Sequence, residues 1–190
     1  MLGPLEKEEF RLHVPVALIL KINGRQPDEA SRLRAGETLK MIYGPFHAVV
    51  DKSDFTMDIF LHRPGLERIF IARMPVGLGK HNTTPAGLWR IKLGGKMEKQ
   101  DWYPPPSSDI NGRIPYGHPD YAFGEKGLWM SLEGFDEDTE GLTGYGIHST
   151  NKPESIGTMS SLGCIRLADE DIEFLYTVLY EHWSTVLVKP

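Results

Sequence analysis

A chain of 190 residues with 40% hydrophobic and 25% charged side chains has the make-up of an ordinary globular protein, long enough for one sizeable core or for a catalytic domain with a small module attached. Its net charge of −5 argues against a nucleic-acid partner, which calls for a basic excess, and no run approaches the roughly 18 apolar residues of a membrane helix. One cysteine excludes an intrachain disulfide and leaves the redox compartment open.

The first ten residues, Met1 to Phe10, are too charged for the apolar core of a secretory signal. Leu5–Phe10 and Val16–Ile22 predict two short helical pieces joined around Pro15, and after the Asn23-Gly24 turn Leu33–Ile42 turns and alternates as a strand does. From Phe46 onward, β-prone runs recur between Gly, Pro and Asp breakers at 47–50, 55–61, 68–73, 88–93, 128–132 and 185–188. Asp58, His62 and Arg63 interrupt the apolar runs, which predicts strands with one solvated side in an antiparallel sheet. Residues 95–126, with Trp102, Pro104 to Pro106, Asn111-Gly112 and His118-Pro119, carry turn signals without periodicity; they read as a long excursion covering a site and presenting aromatics to a substrate. Asp169–Tyr180 predicts an amphipathic helix with Ile172, Leu175, Tyr176 and Leu179 on one face and acidic residues in its first turn. The fold class is mostly β.

The chemistry concentrates around Cys164, which shares one stretch of chain with His148. A thiol attacks carbonyls as thiolate, and a nearby imidazole is the usual means of generating one. A lone cysteine is more often a small buried hydrophobe, but Gly163 permits close backbone approach, Ile165 is an apolar anchor, and Arg166 is either a carboxylate clamp or a pin for the loop. Ser160 and Ser161 read as turn residues that shape the approach to Gly163, since no Gly-x-Ser-x-Gly elbow surrounds them. Tyr145 is a candidate pocket wall. With no His-Glu-x-x-His run, paired cysteines, Walker loop or dinucleotide fingerprint, neither a metal nor a cofactor is expected.

The run Gly146-Ile-His148-Ser-Thr150 with Asn151, Pro153 and Gly157, followed by Ser160-Ser-Leu-Gly-Cys164-Ile-Arg166, resembles the signature of the L,D-transpeptidase (YkuD-type) catalytic domain. Leu162 stands where many members carry a second histidine, and Ser149 where glycine often follows the first. Phe46 to Asp51, Met74 to Gly79 and Thr84-Pro-Ala-Gly-Leu-Trp89 extend the likeness over residues 46–190. Val14 to Val16, Ile19 to Gly24 and Leu33 to Leu39 resemble the later part of a glycan-binding LysM module without its opening strand and turn. The expected organisation is therefore a partial LysM-like module or simple brace over 1–45, and a β-sandwich-like catalytic domain over 46–190 with a helix after the cysteine motif.

The resemblance implies a cysteine acyltransferase that takes the acyl group of a peptidoglycan tetrapeptide stem, releases D-alanine, and passes the acyl group to an amine of a neighbouring stem. Water as acceptor gives an L,D-carboxypeptidase instead, and a wall-binding protein with a residual catalytic fold is a further alternative. Cys164 is then the nucleophile and His148 the base, oriented by the Gly146 carbonyl or by Ser149. The N–H groups of Gly163 and Cys164 are the expected oxyanion donors, Ser161 shapes their loop, and Arg166 and Tyr145 face substrate. The implied partners are stem peptides and, through residues 1–45, glycan, with no nucleic acid, membrane span or protein partner. The implied location is the cell envelope, outside the cytoplasmic membrane, which requires an export signal these residues do not carry. Carbapenems acylate the cysteine of this family.

Overall fold

The computed structural model describes residues 16–62, 67–106 and 108–190. The helix expected over Leu5–Phe10 and the start of the LysM-like run lie outside the described residues. Among the described residues, helix α1 (Val16–Ile22) and a 3-10 turn (Pro27–Arg32) lead into ten strands and a second helix. The strands are β1 (Phe46–Asp51), β2 (Thr56–Leu61), β3 (Ile69–Pro75), β4 (Leu78–Gly79), β5 (Gly87–Glu98), β6 (Leu128–Gly134), β7 (Gly146–Ser149), β8 (Met159–Ser161), β9 (Ile165–Leu167) and β10 (Thr185–Lys189). Helix α2 (Asp169–Val178) separates β9 from β10.

Eight strands form one sheet in the order β3-β2-β1-β10-β5-β6-β7-β9, and β4 pairs with β8 in a small second sheet. Alternation decides which face is buried. Phe46, Ala48 and Val50 of β1 point inward with Met57, Ile59 and Leu61 of β2, because the register sets Ala48 against Ile59 and Val50 against Met57. Val186 and Val188 of β10 continue that face into Trp89 and Ile91 of β5. The expected antiparallel sheet is in fact mixed: β10 runs parallel to β1, and β9 parallel to β7. Parallel neighbours need a crossover, and between β7 and β9 the chain passes through the 3-10 turn Pro153–Ser155 and strand β8.

Helix α2 begins with Asp169, Glu170 and Asp171, whose charge suits the positive end of a helix dipole, and buries Ile172, Leu175 and Val178 at helical spacing. Each such side chain gains about 1.5–3 kcal/mol from leaving water. The helix stops two residues short of the expected end, where Ser184 Oγ accepts the Tyr180 N–H at 2.7 Å. Leu18 of α1 is fully buried in the same core as these residues.

Residues 33–45 are not a strand. Their polar backbone is satisfied locally: the Asn23 side chain donates to the Lys40 carbonyl at 2.9 Å and accepts the Lys40 N–H at 2.9 Å, and Glu37 accepts the Arg34 N–H at 3.2 Å. Side-chain amides of this kind compete with ladder pairing and hold a loop without it.

Candidate active site

Strands β6, β7 and β9 build the site. In their register Trp129 faces His148, and His148 faces Arg166. Directly paired residues leave a sheet on the same face, and Cys164, two positions before Arg166, shares it because side chains repeat every second residue. His148, Cys164 and Arg166 thus come together on one face, while Ile147, Ile165 and Leu167 enter the core on the other.

His148 is buried, only 4% exposed. Its Nδ1 lies 2.5 Å from the Ser149 carbonyl, an acceptor only, so Nδ1 carries the proton and Nε2 is left as the basic nitrogen. Of the two expected orienting groups, the structure uses the Ser149 carbonyl. The Gly146 carbonyl does not serve; the Gly146 backbone instead favours the ionised form of the cysteine, and the Trp129 ring lies where a Gly146 side chain would be. Ser149 Oγ faces away from the imidazole and donates to the Phe123 carbonyl.

Rings enclose the imidazole. Trp129 stacks on it at 5.4 Å with 15° between planes, and Phe123 lies 4.9 Å away. Behind them Trp102, Tyr121 and Ile114 form a small second core with Phe123. The excursion expected over 95–126 occupies 99–127, between β5 and β6, and Trp102, Tyr121 and Phe123 turn inward onto the histidine side while Tyr103 and Tyr116 stay exposed. This burial pushes the His148 pKa down to about 4; the Ser149 carbonyl opposes the shift and the Arg166 charge adds to it.

The cysteine loop is tied by polar groups. Thr84 Oγ1 accepts the Gly79 N–H at 2.8 Å and donates to the Gly163 carbonyl at 2.9 Å. Ser161 Oγ accepts the Gly163 N–H at 3.1 Å and donates to the Cys164 carbonyl at 2.6 Å. Gly163 sits at φ +132° with the Tyr145 ring against it, so a Cβ there would lie 2.9 Å from that ring. The Gly163 N–H, expected as an oxyanion donor, is therefore engaged with Ser161. Tyr145 packs on Trp89, ring centres 5.2 Å apart, and forms a wall beside Gly163.

Cys164 is partly accessible, its Sγ 3.8 Å from the Gly144 carbonyl. Burial pushes its thiol up to about 11, opposed by the Gly146 backbone and the Arg166 charge. At neutral pH the resting pair is consequently a thiol and a neutral imidazole, suited to proton transfer during attack rather than before it. Arg166 is half-buried, with one long contact to Ser160 Oγ at 3.5 Å. Among the described residues no group of three or more His, Cys, Asp or Glu is placed to hold a metal ion, and no helix is long and apolar enough to cross a membrane.

Phe123, Trp129 and Thr84 escaped assignment from the sequence as site residues. Thr84 stood in the quoted Thr-Pro-Ala-Gly turn, which carried the available signal. Phe123 and Trp129 became visible only once the register placed β6 beside β7.

Residues 45–188 match the family model of the YkuD L,D-transpeptidase catalytic domain. The Escherichia coli K12 protein named Probable L,D-transpeptidase YbiS is 26% identical over 129 residues, covering 63% of this chain and 38% of that protein. The chain thus spans well under half the length of this curated relative. An L,D-transpeptidase of Enterococcus faecium shares the fold at TM-score 0.52 and 20% identity, over 77% of this chain and 50% of that one. One from Mycobacterium smegmatis does so at 0.52 and 16%, over 82% and 64%.

Proposed function

The chain belongs to the YkuD-type L,D-transpeptidase catalytic-domain family, and from that premise we propose that it transfers an acyl group from a peptidoglycan tetrapeptide stem to an amine of a neighbouring stem, releasing D-alanine. The observation carrying this reading is the shared face of Cys164 and His148, with the imidazole tautomer locked by the Ser149 carbonyl.

Sγ attacks the scissile carbonyl carbon as its proton passes to Nε2 of His148. The Cys164 N–H is the oxyanion donor in this reading, since Gly163 is tied to Ser161. The C–N bond then breaks, the imidazolium returns the proton to the departing amine, and a thioester remains. An incoming amine takes the acyl group and restores the thiol. Tyr145 lines the approach and Arg166 faces the substrate.

Residues 46–190 form the catalytic domain in this reading, and the segment before them braces it, a role supported by Leu18 in the common core. The substrate places the activity at the cell envelope, outside the cytoplasmic membrane. The test is incubation with disaccharide tetrapeptides and mass analysis. Cross-linked dimers are expected; tripeptide monomers alone would make it a carboxypeptidase, and neither product, with no adduct after carbapenem treatment, would overturn the enzyme reading. Cys164→Ala is expected to abolish product.

A further inference from the structure

Parity along β1 puts one residue out of keeping with its place. Phe46, Ala48 and Val50 point into the core, and the next residue of that parity, just past the strand, is Lys52, only 6% exposed. A buried ammonium is costly unless it is paired. Among the described residues no carboxylate forms an ion pair with it, and its acceptor is the Thr84 carbonyl at 3.2 Å. Pro85 follows Thr84, so the peptide between them has no N–H and the carbonyl is its sole polar group. Lys52 holds it.

The hydroxyl of Thr84 reaches the nucleophile's backbone. Oγ1 accepts the Gly79 N–H at 2.8 Å and donates to the Gly163 carbonyl at 2.9 Å. That carbonyl belongs to the same peptide group as the Cys164 N–H. The peptide is trans, so its C=O and N–H point in opposite directions, and a carbonyl held by Thr84 turns the N–H away from Thr84. Among the described residues the Cys164 N–H donates to no acceptor. A hydrogen bond accepted at one end of a peptide also strengthens the donor at its other end, because bonds in a chain polarise one another. Gly79 N–H, Thr84 O–H and the Gly163–Cys164 peptide thus form one ordered line that ends in a free donor.

We propose that Thr84 and Lys52 are positioning residues of the oxyanion donor: the ammonium seats the Thr84 turn, and the Thr84 hydroxyl aims and strengthens the Cys164 N–H. This rests on the acyl-transfer reading above and adds to it the support behind the donor. Both side chains are buried and act through the loop. Their effect is felt where negative charge develops on a carbonyl oxygen, and not in the sulfur's reactivity toward other electrophiles.

The experiment compares two reactions of one sulfur, each followed by intact mass. A carbapenem is attacked at its lactam carbonyl: the S–C bond forms through an oxyanion, the C–N bond breaks, and the thiol proton ends on the nitrogen. Iodoacetamide is attacked at a saturated carbon, loses iodide and develops no oxyanion; the thiol proton goes to solvent. In Thr84→Val the rate of acylation is expected to fall about 10-fold or more relative to alkylation, while alkylation stays within about threefold of the wild type. Thr84→Ser, which keeps the hydroxyl, is expected to hold the wild-type ratio. Lys52→Met, which keeps the apolar stem, is expected to lower the ratio about threefold, and it carries the test alone if Thr84→Val does not fold. Acylation and alkylation falling in step in Thr84→Val would show a general support of the thiol and overturn the proposal, as would an unchanged ratio in Lys52→Met. A wild type that is alkylated by iodoacetamide yet takes no carbapenem overturns the acyl-transfer reading itself.

Discussion

On the cysteine side of the site the supports are hydroxyls, backbone amides and glycine: Thr84, Ser161, Gly79 and Gly163 fix the loop through four short hydrogen bonds. On the histidine side they are rings, with Trp129 and Phe123 against the imidazole and Trp102 and Tyr121 behind them. The nucleophile must present its sulfur and a backbone N–H at a fixed position, which directional bonds accomplish. The base must stay neutral with one tautomer, which exclusion of water and a single carbonyl accomplish.

Removing a ring gives the largest expected effect. Phe123 is 7% exposed and touches His148, Trp129, Trp102 and Tyr121. Phe123→Ala is expected to cost about 3 kcal/mol in urea denaturation, in the range for buried phenylalanines. Water then reaches the imidazole, so the acid limb of kcat/KM is expected to rise from about 4 toward the ordinary value of 6.5. A limb that stays near 4 would mean the rings support the excursion but do not set the base.

Thr84→Val tests the polar side. It leaves the Gly79 N–H and the Gly163 carbonyl without their partner, at about 1–3 kcal/mol for each orphaned group and roughly 2 kcal/mol in total after relaxation. The acid limb is expected to remain near 4, because no ring moves. A shift of that limb would show that the two halves of the site are coupled.

How much of this was legible depended on whether a residue acts through its own type or through the register of its strand. Cys164, His148 and Arg166 were readable because their chemistry is in the side chain and they lie in one stretch. Strands β1, β2, β3, β5, β6 and β10 were readable from alternation and β-branched content. Strands β4, β7, β8 and β9 were not, being two to four residues long; all four residues of β7 are buried, so no alternation marks it. The inward turn of Phe123 and the choice of the Ser149 carbonyl over that of Gly146 follow from tertiary packing. The strand expected at Leu33–Ile42 failed because Asn23, seventeen residues before Lys40, satisfies its backbone from a distance.

Acid titration separates the halves again. The unfolded chain protonates histidine near 6.5, whereas folded His148 resists until about 4, so between these values the unfolded state binds more protons. Stability is therefore complete above pH 6.5 and falls as pH drops toward 4, by roughly 2 kcal/mol at pH 5 from His148 alone. His47, lowered to about 4 chiefly by burial, adds a loss of the same sign and comparable size. Urea midpoints at pH 7.5 and 5 measure the sum. His148→Gln is expected to remove about half of the difference, and an equal difference in that variant would place the acid sensitivity elsewhere.

The smallest expected effect discriminates most finely. Ser161→Ala removes the acceptor of the Gly163 N–H and the donor to the Cys164 carbonyl, at about 1 kcal/mol because the loop keeps its Thr84 tie. If the Gly163 N–H serves only the loop, kcat falls modestly as the cysteine loses definition. If instead that N–H must leave Ser161 during turnover to meet the oxyanion, freeing it removes a competing hydrogen bond and kcat rises. A decrease of about two- to fivefold is expected, since Ser161 Oγ also fixes the carbonyl of the nucleophile itself, and a developing oxyanion is stabilised only by donors already in place. A rise would reassign the oxyanion to Gly163 and make Ser161 the group that releases it.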